Sequence, residues 1–330
     1  MPSSILLLGE MDLRPLLQVP HSMDGAMDVV EQATIDQYRH RDEIREWTFR
    51  DETTGAADHN ILRINYCADD SFLTGFQVYA DTREAPPRPN ARWVAVMDGK
   101  TRQLLSIVDY GCLNPVRVGA CGGVAARYLA PAGARAAAIL GSASIARTLL
   151  QAISRAVPGL EEARVYSPTP EHREAYARQM REWLGLRVVA VESAREATEG
   201  ADIVGFANNG RGQLVEADWL KTGALIISIS AGQLPPSVIA ESRVVATDWG
   251  SLATHEPFGS FIKAGTYSRQ HIAAELAQVI LQEVEVRRHP QETVVFELTG
   301  IQLWAVRLAH WACQWASREG VGMRFVLSAE

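Results

Sequence analysis

Apolar residues are spaced in two different ways along this chain. Between Trp47 and Val108 they form short runs separated by turns that contain Asp, Gly or Pro, and no helical spacing intervenes. Successive strands without helices between them predict an antiparallel sheet. From Arg135 to Thr247 short apolar runs alternate with stretches of helical spacing, which predicts a parallel, doubly wound sheet. The chain is therefore predicted to be an α/β protein with two sheets of different kinds.

Helical spacing also marks four further segments, two of which have an unusual composition. The segments are Ser22–Tyr38, Leu113–Leu129, His271–Val286 and Gly300–Arg318. Leu113–Leu129 is rich in glycine and alanine, which predicts that another backbone approaches it closely. The last segment carries Trp304, Trp311 and Trp315, and large aromatic side chains in such a helix predict a core or an interface.

A tight turn after the apolar run Ala136–Leu140 carries the clearest chemical signal. The turn is similar to the G-x-G-x-x-G/A pattern, with Gly141 at its first position and Ala146 at its last. Such a turn sets the free N–H groups of a helix N-terminus against a pyrophosphate. Ala143 occupies the second position and adds a methyl group where the backbone would approach the phosphates. The turn predicts a dinucleotide site, with an ordinary strand–turn–helix connection as the alternative.

Composition and charge argue against several other classes of protein. The 330 residues carry 32 Lys and Arg against 39 Asp and Glu, and the net charge of −7 without a basic block argues against nucleic acid as a partner. No apolar stretch is long enough for a bilayer span or a signal peptide, so no membrane partner is expected. The four cysteines lack metal-ligand spacing, which predicts reduced thiols, no metal site and a cytoplasmic location.

Several short motifs give the chain a resemblance to a known family. They are Asn114–Ala120, Ala125–Pro131, the turn at Gly141, Ala201–Val204 and the segment Phe296–Gly300. In this order they resemble the ornithine cyclodeaminase/μ-crystallin family, over essentially the whole chain from about Gly25. The end of the sheet at Val244–Trp249 is more similar to the branch of dehydrogenases that make 2,3-diaminopropionate.

This resemblance implies a fold and a division into domains. The fold would be a Rossmann-type doubly wound parallel sheet together with an antiparallel-sheet α+β domain. We expect residues 130–298 to bind the dinucleotide, and residues 1–129 with 299–330 to bind substrate and to form a homodimer.

The resemblance also implies hydride transfer between a nicotinamide and the α-carbon of an amino-acid-like substrate, through an imine. Arg117 falls on the family's carboxylate-binding arginine, and Arg50 and Arg63 are further candidates for substrate binding. The family's lysine falls on Gln77 and its aspartate on or near Gln233. Both glutamines are candidate catalytic-site residues, but an amide forms hydrogen bonds and cannot act as a general base near neutral pH.

The predicted cofactor is NADP or NAD. The second strand of the dinucleotide domain ends in Ser167, Pro168 and Thr169 instead of the carboxylate that binds the ribose of NAD, and Arg173 follows, which favours NADP. The candidate cofactor-binding residues are Gly141, Ser142, Ala143, Ser144, Ile145, Ser167, Thr169, Arg173, Ala207, Asn208 and Ser228.

Three functions fit these observations. The first is an NAD(P)-dependent imine or ketimine reductase or amino-acid dehydrogenase of specialised metabolism, because Gln77 and Gln233 argue against ring-forming deamination. The second is a deaminase of the ornithine cyclodeaminase type that uses another proton relay. The third is a homologue that binds nucleotide or ligand without catalysis, in the manner of μ-crystallin, or an enzyme that no longer uses a nicotinamide.

Overall fold

The protein divides into two compact units, each with its own sheet. A computed structural model describes residues 4–18, 22–41, 45–50, 60–66, 73–80, 92–208, 210, 212–229, 232–301 and 303–326. The first unit comprises Met1–Arg117 with Ile301–Glu330, and the second comprises Val118–Gly300.

The described residues form strands and helices that follow one another in a regular order. The strands are β1 (Ser4–Leu8), β2 (Arg45–Arg50), β3 (Asn60–Tyr66), β4 (Leu73–Ala80), β5 (Arg92–Asp98), β6 (Leu104–Asp109), β7 (Ala136–Leu140), β8 (Glu162–Tyr166), β9 (Arg187–Ala190), β10 (Ile203–Phe206), β11 (Leu225–Ser228), β12 (Arg243–Ala246), β13 (Ala274–Glu275), β14 (Val294–Glu297) and β15 (Met323–Val326). The helices are α1 (Glu10–Gln18), α2 (Ser22–Arg39), α3 (Leu113–Leu129), α4 (Ser144–Ala156), α5 (Pro170–Leu184), α6 (Ala194–Thr198), α7 (Pro236–Glu241), α8 (Trp249–Leu252), α9 (Phe258–Lys263), α10 (Leu276–Ile280) and α11 (Leu303–Glu319).

The first unit is built on a seven-stranded mixed sheet in the order β15-β1-β6-β5-β4-β3-β2. Strands β2 to β6 pair antiparallel, as predicted. The sequence pattern did not reveal that β1 joins this sheet parallel to β6 or that β15 pairs with β1.

One face of this sheet is covered by helix α11, which packs against β4, β5, β6 and α2. Trp304 of α11 is fully buried, and its indole nitrogen donates a 2.9 Å hydrogen bond to the hydroxyl of Thr34. Trp311 and Trp315 are partly buried against the same core. The aromatic residues of this helix therefore pack in the core of the first unit.

The second unit is built on an eight-stranded parallel sheet in the order β13-β12-β14-β11-β10-β7-β8-β9. Every residue of β10, β11 and β14 is buried, which explains why these strands are short, continuous apolar runs rather than alternating ones. The doubly wound α/β fold predicted from the alternation of strands and helices is confirmed.

The glycine-rich helix α3 packs closely on α4, as its composition predicts. A Cβ atom on Gly119 would lie 2.5 Å from the carbonyl carbon of Thr148, and one on Gly122 would lie 2.3 Å from Leu149. Only a residue without a side chain leaves room for this contact.

The long helix predicted at His271–Val286 is wrong. A 3-10 turn at Arg269–His271 and the two-residue strand β13 precede the short helix α10. Ala274 pairs with Val245 of β12, so the segment adds an edge strand to the sheet, and tertiary pairing overrides its helical spacing. Helix α10 then ends before Gln282, whose φ is 58°.

The described part of the chain contains no helix that is both long enough and apolar enough to cross a lipid bilayer.

Candidate functional site

The turn between β7 and α4 depends on Gly141. Its φ is 134°, a conformation that favours glycine, and a Cβ atom there would lie 2.1 Å from the carbonyl oxygen of Ala207. The Gly141 amide donates to the carbonyl of Tyr166 at 2.8 Å. This glycine therefore lets the chain turn tightly while the ends of three neighbouring strands meet at one edge of the sheet.

Helix α4 presents an open N-terminus at this edge. Its N-cap is Ala143, which has ordinary extended dihedrals (φ −84°, ψ −172°) and no side chain that could accept a hydrogen bond from the first turn. The first amides of a helix lack intrahelical partners, and together with the helix dipole they favour an anion. Ala143 leaves these amides available, so alanine at the second position of the motif is compatible with a phosphate-binding turn.

A cavity of about 580 Å³ lies at this edge of the parallel sheet. Its lining includes Gly141, Ser142, Ala143, Ser144, Ile145, Ser167, Thr169, Ala207, Asn208 and Gln233. The structure thus brings together nine of the eleven predicted cofactor-binding residues and the predicted Gln233. Arg173 and Ser228 do not line the cavity.

The loop after β10 contributes lining residues that the sequence interpretation missed, namely Gly210, Gly212, Gln213 and Leu214. Its asparagine- and glycine-rich start directly after a buried strand was the available signal, since such a loop lies at the carboxyl end of a parallel strand.

The side of the cavity formed by the end of β8 is polar and carries positive charge nearby. The hydroxyl of Ser142 donates to that of Ser167 at 3.1 Å. Two guanidinium groups bond to the backbone on this side of the cavity, which we call the rim. Arg147 donates to the carbonyl of Ser142 at 2.6 Å, and Arg173 donates to the carbonyl of Ser167 at 3.2 Å. No aspartate or glutamate lines the cavity in the described ranges.

Gln233 and Asn208 form a reciprocal pair of side-chain amides on the cavity wall. Gln233 Nε2 donates to Asn208 Oδ1 at 2.7 Å, and Asn208 Nδ2 donates to Gln233 Oε1 at 3.0 Å. Gln233 is 2% exposed. The amide is therefore engaged within the protein.

The other predicted site residues belong to the first unit. Gln77 is buried in β4, and Arg63 of β3 lies directly opposite it in the strand register. Arg50 is the last residue of β2 and pairs with Ile61. The side chains of Arg50 and Arg63 lie outside the part of the chain that the structure describes.

Arg117 is half-buried near the start of α3. Its guanidinium carbon lies 6.0 Å from the ring centroid of the fully buried Tyr110. Among the described residues it has no carboxylate within ion-pair distance, and its buried Nε has no hydrogen-bond partner. Partial removal of a charge from water is costly unless the charge is paired.

Glu297, at the end of β14, is an acidic residue that the sequence interpretation missed. It is 3% exposed, and burial raises the pKa of its carboxyl to about 8, while a hydrogen bond with the Ser228 side chain acts in the opposite direction. Ser228 lies directly opposite Glu297 in the register of β11 and β14. The predicted cofactor residue Ser228 therefore contacts a buried acid in the sheet.

The fold and this edge of the sheet define a Rossmann-type nucleotide-binding protein. The model of the ornithine cyclodeaminase/mu-crystallin family matches residues 67–312, so the chain belongs to that family.

Proteins of similar sequence include a dehydrogenase and a reductase. The N-((2S)-2-amino-2-carboxyethyl)-L-glutamate dehydrogenase of Staphylococcus aureus is 24% identical over 81% of each chain. The Delta(1)-pyrroline-2-carboxylate reductase of Bacillus cereus is 28% identical over 70% of this chain and 73% of its own.

The structure is similar to that of the Thermococcus litoralis Delta(1)-pyrroline-2-carboxylate reductase in complex with NADH and L-proline. The TM-score is 0.86 at 27% identity, and the match covers 97% of this chain and 99% of the other.

The pKa of Glu297 predicts a specific dependence of stability on pH. Between the ordinary pKa of a glutamate and about 8, the unfolded chain releases a proton that the folded chain retains. The free energy of unfolding should therefore fall as pH rises through this window, by up to about 1.4 kcal/mol per pH unit. Glu297→Gln removes the titration, so urea unfolding from pH 5 to pH 8 should show a flatter profile for the variant. Parallel profiles for the two proteins would contradict the assignment.

Proposed function

We propose that this protein is an NAD(P)-dependent oxidoreductase that interconverts an imine and an amine in a small, amino-acid-like carboxylate substrate. The observation that carries the proposal is the cavity at the carboxyl end of β7, where the turn at Gly141 and the open N-terminus of α4 form a cradle for a pyrophosphate. The activities of the relatives support this class of reaction.

The described residues fit a dinucleotide. Gly141 allows the close approach of Ala207, Ala143 leaves the first amides of α4 without a side-chain cap, and no carboxylate in the cavity lining repels a phosphate. When bound, a reduced nicotinamide supplies a hydride to the substrate carbon. The contribution of the protein is to hold the dinucleotide, orient the substrate and exclude water.

NADP is favoured over NAD. The end of β8 provides the hydroxyls of Ser167 and Thr169 where NAD-binding proteins place a carboxylate, and Arg147 and Arg173 bond to this rim. Guanidinium groups near the ribose would stabilise a 2′-phosphate.

Reduction of a preformed imine is favoured over ring-forming deamination. Deamination begins with oxidation of a primary amine, which requires a group that accepts its proton. The resemblance places the family's lysine on Gln77 and its aspartate on or near Gln233, and neither amide accepts a proton near neutral pH. A protonated imine needs only a hydride at its carbon to become an amine, and no base has to remove a proton. Glutamine at these two positions is therefore compatible with reduction of an imine.

Turnover with imino acids tests the proposed function. The protein should oxidise NADPH faster than NADH when Delta(1)-pyrroline-2-carboxylate or an open-chain imino acid is present, measured by the loss of reduced-nicotinamide absorbance. Mixtures without imine are the control. Dinucleotide binding without any turnover across cyclic and open-chain imino acids would instead favour a binding protein.

Arg117 is proposed to bind the substrate carboxylate. Loss of a charge-assisted hydrogen bond costs about 1.5–3 kcal/mol, so Arg117→Ala should raise KM about ten- to a hundredfold and leave the Kd for NADPH unchanged. Arg127→Ala alters an exposed arginine of the same helix and is the matched control. An unchanged KM in the Arg117 variant would contradict the role.

A homodimer is proposed to form through the sheet of the first unit. The face opposite α11 carries apolar side chains that are only half-buried, namely Phe76, Val78, Trp93, Met97 and Ile107. Apolar patches of this kind mark association surfaces. Sedimentation equilibrium at micromolar concentration should give twice the mass of the chain, and a monomer would contradict the proposal.

The cytoplasm is the proposed location. Cys112, Cys121 and Cys313 are free thiols in the structure, which fits a reducing compartment.

A further inference from the structure

The loops that form one wall of the cofactor cavity are tied together by Asn208 and Gln233. In addition to their reciprocal bonds, Gln233 Nε2 donates to the carbonyl of Gly210 at 2.7 Å, and the Gly210 amide donates to Asn208 Oδ1 at 2.8 Å. Asn208 Nδ2 also donates to the carbonyl of Leu140 at 3.1 Å. The two amides thereby connect the end of β7, the loop after β10 and the loop after β11.

The backbone of the loop after β10 also contacts the pair of Asn208 and Gln233. A Cβ atom on Gly210 would lie 2.8 Å from Asn208 Oδ1 and 3.1 Å from Gln233 Nε2, so a larger residue would displace the pair. The backbone carbonyl of Gln233 also accepts a hydrogen bond from the Leu214 amide at 3.0 Å. Asn208, Gly210, Leu214 and Gln233 all line the cavity.

The side-chain amide of Gln233 already forms most of its possible hydrogen bonds within the protein. A glutamine amide has two N–H donors, and both are donated to protein oxygens here, while its oxygen accepts from Asn208. The side chain therefore has no donor left for a substrate. Among the described residues, its hydrogen-bond partners are Asn208 and the backbone carbonyl of Gly210, which carry no charge.

We propose that Gln233 is a positioning residue that acts through Asn208 to hold Asn208, Gly210 and Leu214 in the positions that bind the dinucleotide. This inference rests on the proposed function, because it assumes that the cavity takes a dinucleotide. A glycine-containing loop loses more conformational freedom on binding than a stiff one, and the amide pair removes part of that cost before the ligand arrives. On or near the position where the family resemblance places an acid, this chain then has a neutral group that organises the cofactor site.

Two substitutions of similar size separate hydrogen bonding from packing. Gln233→Met keeps the length of the side chain and removes all three amide bonds. Gln233→Glu keeps the acceptor, but when ionised it faces Asn208 Oδ1 and the Gly210 carbonyl without a proton to donate. When the glutamic acid is protonated, it regains one donor. The titratable side chains that line the cavity in the described ranges are Tyr166 and His172, and both are present in every variant.

In the experiment, the full-length protein is titrated with NADPH and with NADH at pH 5 and pH 8, and calorimetry measures the Kd. Gln233→Met should weaken binding about tenfold or more, since the partly buried bonds to Asn208 Oδ1 and to the Gly210 carbonyl are lost. The ratio of the Kd of Gln233→Glu to the Kd of the wild type should be close to one at pH 5 and much larger than one at pH 8. The same ratio for Gln233→Met should not change with pH.

Gln32→Met is the matched control, because Gln32 is an exposed glutamine of α2 that bonds to Asp36 and does not line the cavity. It should bind within about twofold of the wild type. If the wild type binds and Gln233→Met or Gln233→Glu binds equally well at both pH values, the positioning role is wrong and the proposed function stands. If the wild type binds neither dinucleotide, both are wrong.

Discussion

The carbonyl oxygen of Ala207 lies where any side chain at Gly141 would have to be, and the candidate site depends on this close approach. It brings the end of β10 against the turn that follows β7, so that the loops after both strands meet at the open end of α4. The same edge carries the amide pair of Asn208 and Gln233, which connects the loop after β10 to the loop after β11. One glycine with a φ of 134° thus sets the geometry on which the dinucleotide cavity is built.

Much of this arrangement could be predicted from the sequence, because the relevant signals are local. Short runs of buried residues such as Ala136–Leu140 identify strands of a parallel sheet, and the small residues of α3 predict the contact that Gly119 makes with α4. The motif at Gly141 identifies the turn. Since parallel strands end at a common edge, residues far apart in sequence, such as Ser142 and Ser167, could be assigned to one site.

The features that could not be predicted depend on contacts between distant parts of the chain. The helical spacing of His271–Val286 does not reveal that Ala274 will pair with β12. Nothing next to Glu297 in the sequence shows that its carboxyl will be enclosed beside Ser228, with a pKa near 8. A glutamine is compatible with many environments, so the partnership of Gln233 with Asn208, 25 residues away, became visible only in three dimensions.

The central claim is that the turn at Gly141 and the N-terminus of α4 bind the pyrophosphate of a nicotinamide dinucleotide. Ala143 is the most direct probe, because its methyl group lies at the N-cap of α4 and its dihedrals are ordinary for any residue. The measurement is calorimetric titration of NADPH and NADH into the wild type and Ala143→Val. The account predicts binding of one dinucleotide per chain by the wild type and loss of that binding in the valine variant. Absence of binding by the wild type at millimolar concentration, or equal binding by a folded Ala143→Val protein, would contradict it.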